Sequence, residues 1–419
     1  MKRAMIAVVA GLGFGPALCA EAHEHHHVPA DYPTLQAAIN ASGPTDEIEV
    51  DPGVYSGAGF RDLDFQGKSV TIVATQGAGT VVIDLEGHRL ANITQTGSPY
   101  VPHFYLLTIR NGSADEGGLV RIDGAGGVVI EGCRIENMTA GVGGAVYARN
   151  SQVFLNFNTF LDCAASQMGG AVHLDAAFGF AQGNTFAQCS APTGGAATIT
   201  GSPAEPLYFA NCVFTGNQAT VGGAIAADGG TTLVVNCNIV NNSAAARGSA
   251  IEATTGASLV VVNSILHQNT SPDNLQVSDL GAGISVHHCN VQGMGGVNNN
   301  IDETPLFADA AGGDYSLPAG SGCIDAGVNG FMPPHIGVDL VGNPRIVDGD
   351  SNGTASSDIG VIELQVPCDA DWNGAGGLTS QDFFDFLIDF FDGHADFNHD
   401  AVTNSQDFFD FIAAFFTGC

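Results

Sequence analysis

Pairs of glycine recur through the middle of this chain at a nearly constant interval. They read "GGLVRID" at Gly117, "GGAVYAR" at Gly143, "GGAVHLD" at Gly169, "GGAATIT" at Gly194, "GGAIAAD" at Gly222 and "GSAIEAT" at Gly248, spaced by 26, 26, 25, 28 and 26 residues. A repeat of this length marks a stacked array, in which each unit buries its apolar face only against its neighbours. Inside a unit, apolar and polar residues alternate, stop at Gly, Asn or Ser, and alternate again, as in "LVVNCNIVNN". Period-two segments joined by turns exclude helical repeats and predict parallel β-coils. The 57 glycines and the scarcity of Lys point the same way.

Alignment on the glycines produces two ladders of turn residues. One runs Leu107, Cys133, Asn158, Asn184, Cys212, Cys237, Ser264, Cys289; the next runs Gly112, Met138, Cys163, Cys189, Asn217, Asn242, Asn269, Met294. Asparagines stacked at one turn can hydrogen-bond side chain to side chain and satisfy polar groups hidden between coils. These residues are read as structural. Coils stack about 4.8 Å apart, so Cys163–Cys189 and Cys212–Cys237 are near enough either to bridge or to remain stacked thiols.

The segment "VPADYPTLQAAINASGPTDEIEVDPGVYSG" and the later "YLLTIRNG" at Tyr105 resemble the start of the right-handed parallel β-helix superfamily that includes pectate lyases. The resemblance implies an N-terminal cap, in which Thr34 to Ala41 form a short helix with Leu35, Ala38 and Ile39 plugging the first coil. It covers residues 28–300 and speaks to fold, since this architecture hosts lyases, hydrolases, esterases and binding proteins. Residues 301–366, with "GSGCIDAGVNG" and "GNPRIVDGDSNGTASSDIGVIEL", resemble the closing segment of such proteins and are expected to cap the last coil and link onward.

The chain ends in a duplication, "ADWNGAGGLTSQDFFDFLIDFF" and "ADFNHDAVTNSQDFFDFIAAFF". In the second copy Asp396, Asn398, Asp400, Val402, Asn404 and Asp407 occupy positions 1, 3, 5, 7, 9 and 12 of an EF-hand-type loop, whose oxygens suit calcium. The first copy places Asp371, Asn373, Ala375, Gly377, Thr379 and Asp382 there. Each loop runs into a phenylalanine-rich helix expected to bury one face against its twin. Residues 367–419 thus resemble a dockerin: a small α-helical calcium-binding domain that attaches its protein to a cohesin-like or cell-surface receptor. By the same resemblance, the bracketing Cys368 and Cys419 suggest the disulfide-closed variant. Ala375 and Ala401 depart from the pattern, the first removing a carboxylate and the second replacing the usual glycine.

Residues 1–22 read as a secretory signal, with a basic start, an apolar run and small residues before His23. Cys19 would be the lipidated residue of a lipoprotein, but Pro16 stands where an aliphatic residue is usual. No later run is long and apolar enough to span a bilayer. The reading is a monomer, secreted or at the cell surface. With 43 acidic against 11 basic residues, the chain repels nucleic acid and favours cations such as Ca2+. "HEHHH" at His23 offers imidazoles for a transition metal, although a polar terminus is the commoner reason for such a run.

The glycine-anchored strands carry an outward stripe. Arg121, Tyr147, His173 and Thr198 form one ladder; Asp123, Arg149, Asp175 and Thr200 form its neighbour. Arg149, His173 and Tyr147 are the residue types with which a lyase neutralises a uronate and removes its proton. The plainer reading, a salt ladder of Asp123, Arg149 and Asp175 beside solvated rings, is preferred. The three-aspartate calcium site of pectate lyases, a Ser-His-Asp motif and a phosphate loop are not seen. The expectation is therefore a secreted β-helix that acts on or binds extracellular polysaccharide, as a lyase or glycosidase, with a calcium-dependent attachment module. The alternative is a non-catalytic adhesin or spacer. Residues 28–300 would form the helix and 367–419 the tail.

Overall fold

The computed structural model describes residues 24–94, 101–124, 126–201, 206–331, 337–350, 352–365, 370–373 and 378–417. The signal segment, Cys368, Ala375, Gly377 and Cys419 lie outside them. The described strands form four sheets of 11, 10, 6 and 8 strands, every strand parallel to its neighbours one coil away. One coil passes through all four in turn: Gly127–Glu131, Arg134–Glu136, Thr139–Val142 and Val146–Arg149. The next coil begins at Gln152–Asn156, paired onto Gly127–Glu131. The chain is thus mainly β, a parallel solenoid.

The glycine pairs sit at the bend between the third and fourth sheets. Gly143 has φ +59, a left-handed conformation that an L side chain adopts with strain. A Cβ on Gly144 would lie 2.0 Å from the carbonyl oxygen of Gly170, one coil on. The pair therefore repeats because each bend must fit beneath the next.

Inside the coils lies an apolar core. Phe160, Phe186 and Phe214 stack at 4.9 and 4.8 Å between centroids, continuing a column from Ile135 to Ile239. Both turn ladders form as aligned. The Asn184 side chain accepts from Asn158 Nδ2 at 3.0 Å, and Asn242 accepts from Asn217 Nδ2 at 2.9 Å and donates to Asn269 at 2.9 Å. Cys133, Cys163, Cys189, Cys212, Cys237, Cys289 and Cys323 are buried free thiols, so the stacked pairs remain unbridged. Burial pushes Cys133 and Cys289 up to about 12, far from the reactive thiolate.

At the N-terminus, helix α1 spans Leu35–Ala41, and Leu35, Ala38 and Ile39 are buried. Thr34 is its cap, accepting from the Ala37 N–H at 3.2 Å, so the helix starts one residue later than expected. At the other end, Ile301 bridges to Asn290 on the last coil. The segment that follows runs back along the flank of the solenoid. Tyr315, Leu317, Cys323, Ile359 and Val361 pack on Val213, Val240 and Ile265, outward residues of three successive strands of the second sheet. The expected end cap is therefore largely a side cover, anchored by Arg345, which is 1% exposed. Its guanidinium donates to the carbonyls of Asp358 and Gly360, and Asn236 of the solenoid meets it with its amide oxygen at 3.0 Å.

The tail forms two helices, α2 (Ser380–Phe391) and α3 (Ser405–Thr417). Phe386 and Phe411 stack face to face at 3.8 Å, and Trp372 and Phe397 close over them edge-on. Repeated sequence gives repeated contacts here, with the same ring from each copy at the centre.

Candidate functional site

Register places the outward stripe as the sequence alignment has it. Arg121 pairs with Tyr147, Tyr147 with His173 and His173 with Thr198; Asp123, Arg149, Asp175 and Thr200 align beside them. The environment differs from expectation in two respects. Tyr147 and His173 are only 6% and 5% exposed, not solvated. The strands of the third sheet end at Glu116, Val142, Met168, Thr193, Val221 and Arg247, and the glycine bend turns these ends toward the stripe. Contacts across the bend join residues five apart: Arg121 Nε donates to Glu116 at 2.6 Å, Thr198 Oγ1 to the Thr193 carbonyl at 3.1 Å, and Arg247 Nη2 to Glu252 at 3.2 Å. An Arg–Glu pair thus crosses the bend at two places along the ladder, Arg121 with Glu116 and Arg247 with Glu252.

The salt ladder is also rearranged. Arg149 grips Asp123 with two hydrogen bonds, at 2.9 and 2.6 Å, while Arg121 reaches the same carboxylate at 2.7 Å. Asp175 instead accepts from Thr200 at 3.1 Å. The order is Arg121–Asp123–Arg149, because one carboxylate between two arginines gains from both. The hydrogen bond from Arg149 holds the Asp123 carboxyl low, and the same bond raises the Arg149 guanidinium. Burial raises the Tyr147 phenol and lowers the His173 imidazole, whose Nδ1 has no partner. The two rings stack at 5.5 Å, with the Arg121 guanidinium 5.8 Å over Tyr147. Arg149, His173 and Tyr147 are thus adjacent, but each is engaged with a neighbour.

Two further groups escaped the sequence reading. Glu252 lies on the same ladder, 4% exposed, with its carboxyl raised by burial. On the first sheet, His103 Nε2 lies 3.8 Å from Glu131; burial lowers the imidazole to about 4 and raises the carboxyl. Alternation marked these positions as outward, but no local signal shows that an outward residue is covered.

In the tail, the second loop is drawn together by its own acids. Asp396 accepts from the Asp400 and Ala401 N–H groups at 3.0 and 2.8 Å, and Asp407 from Asn398 and Asn404 at 3.2 and 2.7 Å. The first loop repeats the last pair, with Asp382 accepting from Asn373 at 3.3 Å and Thr379 at 2.8 Å. Backbone donors hold the Asp407 carboxyl low. Burial would raise Asp382, but the Thr379 bonds outweigh it. Ala401 takes φ +72, the conformation for which this position ordinarily uses glycine. Asp396, Asn398, Asp400, Asn404, Asp407 and the Val402 carbonyl form a hard oxygen set that fits calcium. Asp371, Asn373, Thr379 and Asp382 form a poorer one. Among the described residues, trios of acid or histidine ligands within 4.8 Å of one another occur at Glu24–His26–Asp46, His25–Glu47–Glu49 and Asp325–Asp348–Asp350, and not in the loops. Calcium would have to draw the loop carboxylates inward.

Residues 117–317 match the family described as "Right handed beta helix region". Among solved structures, the chain is similar to the pectate lyase Pel9A, at 12% identity and a TM-score of 0.36, over 83% of this chain and 98% of that one. It is also similar to ORF18 of Geobacillus virus E2, at 14% identity and a TM-score of 0.32, over 60% and 56%. No curated protein matches.

Proposed function

We propose that the protein is an exported β-helix that binds extracellular polysaccharide without cleaving it, and that its calcium-organised tail tethers it to a cohesin-like or cell-surface receptor. The observation that carries the reading is the outer surface of the tail. Phe384, Ile388 and Phe391 on α2 and Phe409 and Phe416 on α3 are 56%, 60%, 80%, 63% and 79% exposed. Each helix thus carries two apolar faces, one spent on its twin and one turned outward. An aromatic surface of this kind is what a partner-binding module presents. Binding rather than turnover is favoured by the stripe, where Arg149 already spends two of its donors and its charge on Asp123. The acidic excess disfavours a polyanionic glycan and favours a neutral one. A solenoid repeats its backbone at every coil, which suits a periodic polymer.

The test exposes the full chain to a panel of neutral and acidic polysaccharides and measures retention, reducing ends and unsaturated products. Retention on a neutral glycan without products is the expected result. Product formation abolished by Arg149→Ala or His173→Ala would replace binding with catalysis at the stripe. Phe391→Ser with Phe416→Ser is expected to preserve glycan retention while releasing the protein from the surface of the exporting cell.

A further inference from the structure

The histidine run near the N-terminus is divided by strand alternation. In His25–Val28, the His26 side chain points inward, where it hydrogen-bonds Asp46 at 3.0 Å. His25 and His27 point outward. The paired strand Glu47–Val50 sets Glu47 opposite His25 and Glu49 opposite His27, so two imidazoles and two carboxylates share one outward face. His25 Nδ1 lies 2.7 Å from Glu49 Oε1 and 3.9 Å from Glu47 Oε1, and His27 Nδ1 lies 3.5 Å from Glu49 Oε2. On the next strand of the sheet, the residues in register are Thr71 and Val73, which add no competing charge.

We infer that His25, His27, Glu47 and Glu49 form a binding site for a divalent transition ion of the zinc class. Four donors around a tetrahedral ion, each about 2.1 Å from it, stand about 3.4 Å from one another. His25, Glu47 and Glu49 already offer donors within 4.8 Å of one another, and His27 stands 3.5 Å from the second oxygen of Glu49, so small side-chain rotations on a spacing set by the backbone register would close the fourth position. Two imidazole nitrogens with two carboxylate oxygens suit zinc, whereas calcium takes oxygen throughout. The site joins the first strand, which among the described residues has a strand partner on one side only, to the second. A bound ion would therefore clamp the first strand to the second. This site is separate from the tail loops in place and in donor chemistry.

The test uses the full chain, free of any histidine tag, stripped of metal and then saturated with calcium to occupy the tail. Zn2+ is titrated by calorimetry, and Co2+ is used as a visible-absorbing substitute. One equivalent of Zn2+ is expected at micromolar concentration, with a tetrahedral Co2+ band and a rise in the melting temperature of the solenoid. His25→Ala and Glu49→Gln should each weaken binding by about tenfold or more and lose the band. His27→Ala gives an independent variant should either misfold by circular dichroism. His88→Ala, which alters an exposed histidine paired with Asp62 at 2.9 Å, should change nothing. Absence of a micromolar site, or variants that bind like the parent, would overturn the inference.

Discussion

Asn242 shows what a single residue does in this molecule. Its side-chain oxygen accepts from the Asn217 backbone and side chain, and its nitrogen donates to Asn269 and to the Phe214 carbonyl. The residue is 1% exposed, so water cannot replace these partners. Asn242→Ala would strand several buried polar groups and should cost about 2–4 kcal/mol, read as a shift in the urea midpoint. Gly144→Ala should be at least as severe, because its Cβ would meet the Gly170 oxygen at 2.0 Å. At Gly67, where φ is +74 and nothing lies within 4 Å, alanine should cost only the backbone strain, about 1–2 kcal/mol. Equal effects at the two glycines would show that packing between coils is not what the pair serves. At the stripe, His173→Ala opens a gap in a covered ring stack, while Arg149→Ala removes an exposed group and should leave the melting temperature nearly unchanged.

Among the elements, the side cover has a stability that depends on buried charge. Arg345, Glu363 and Asp358 are buried together, and Arg345 also touches the solenoid through Asn236. Arg345→Ala removes the cation and the solenoid contact at once and should cost about 3 kcal/mol or more. Burial pushes Glu363 up to about 8, reinforced by Asp358, and pushes Asp358 up to about 6. Both folded values exceed the ordinary carboxyl values near 4. The stability these groups contribute is therefore complete below about pH 4 and is lost as pH rises through 8. Once the intrinsic base-catalysed rate is divided out, amide protection in residues 337–350 and 352–365 should fall from pH 5 to pH 9, and Glu363→Gln should flatten the fall. Protection that stays constant with pH in the parent protein would contradict this. In the tail, Asp400→Ala should weaken calcium binding more than Thr379→Ala. Thr379 caps α2, with its side chain accepting from Gln381, so its loss should lower helicity even without calcium, by about 1 kcal/mol.

For the whole molecule, the two kinds of core should melt apart. The solenoid buries a continuous column, while the tail centres on Ala370, Phe386, Ala395 and Phe411. Modules with so small a core usually need a metal or disulfide. Trp372 is the single tryptophan of the chain and packs on Phe386 with its Nε1 donating to Asp389 at 2.7 Å. Tryptophan emission therefore reports the tail alone. Chelation should shift that emission and lower one calorimetric transition, while the β-sheet dichroism and a second transition stay in place. A single transition insensitive to calcium would remove the mechanism proposed for the tail. The seven buried thiols should resist alkylation in the native protein and react together on unfolding.

The sequence by itself determined the repeat, the coil register, both turn ladders, the plug of Leu35, Ala38 and Ile39, and the paired tail loops. Each is a local or periodic property. A strand alternates its faces, a bend needs glycine, a turn needs its polar groups satisfied, and identical units must stack in register. The tertiary structure alone decided what covers an outward residue. Tyr147 and His173 belong to an outward stripe, yet the glycine bend brings the ends of another sheet over them. Asp123 rather than Asp175 took Arg149, because Arg121 already stood beside it. The run after Ile301 lay along the flank instead of over the end, where Val213, Val240 and Ile265 offered an apolar row that three separate coils assemble. The phenylalanines of α2 and α3 divided between core and surface only once the helices met. Alternation tells which way a side chain points; burial depends on what arrives there from elsewhere in the chain, and a single sequence carries no local mark of that arrival.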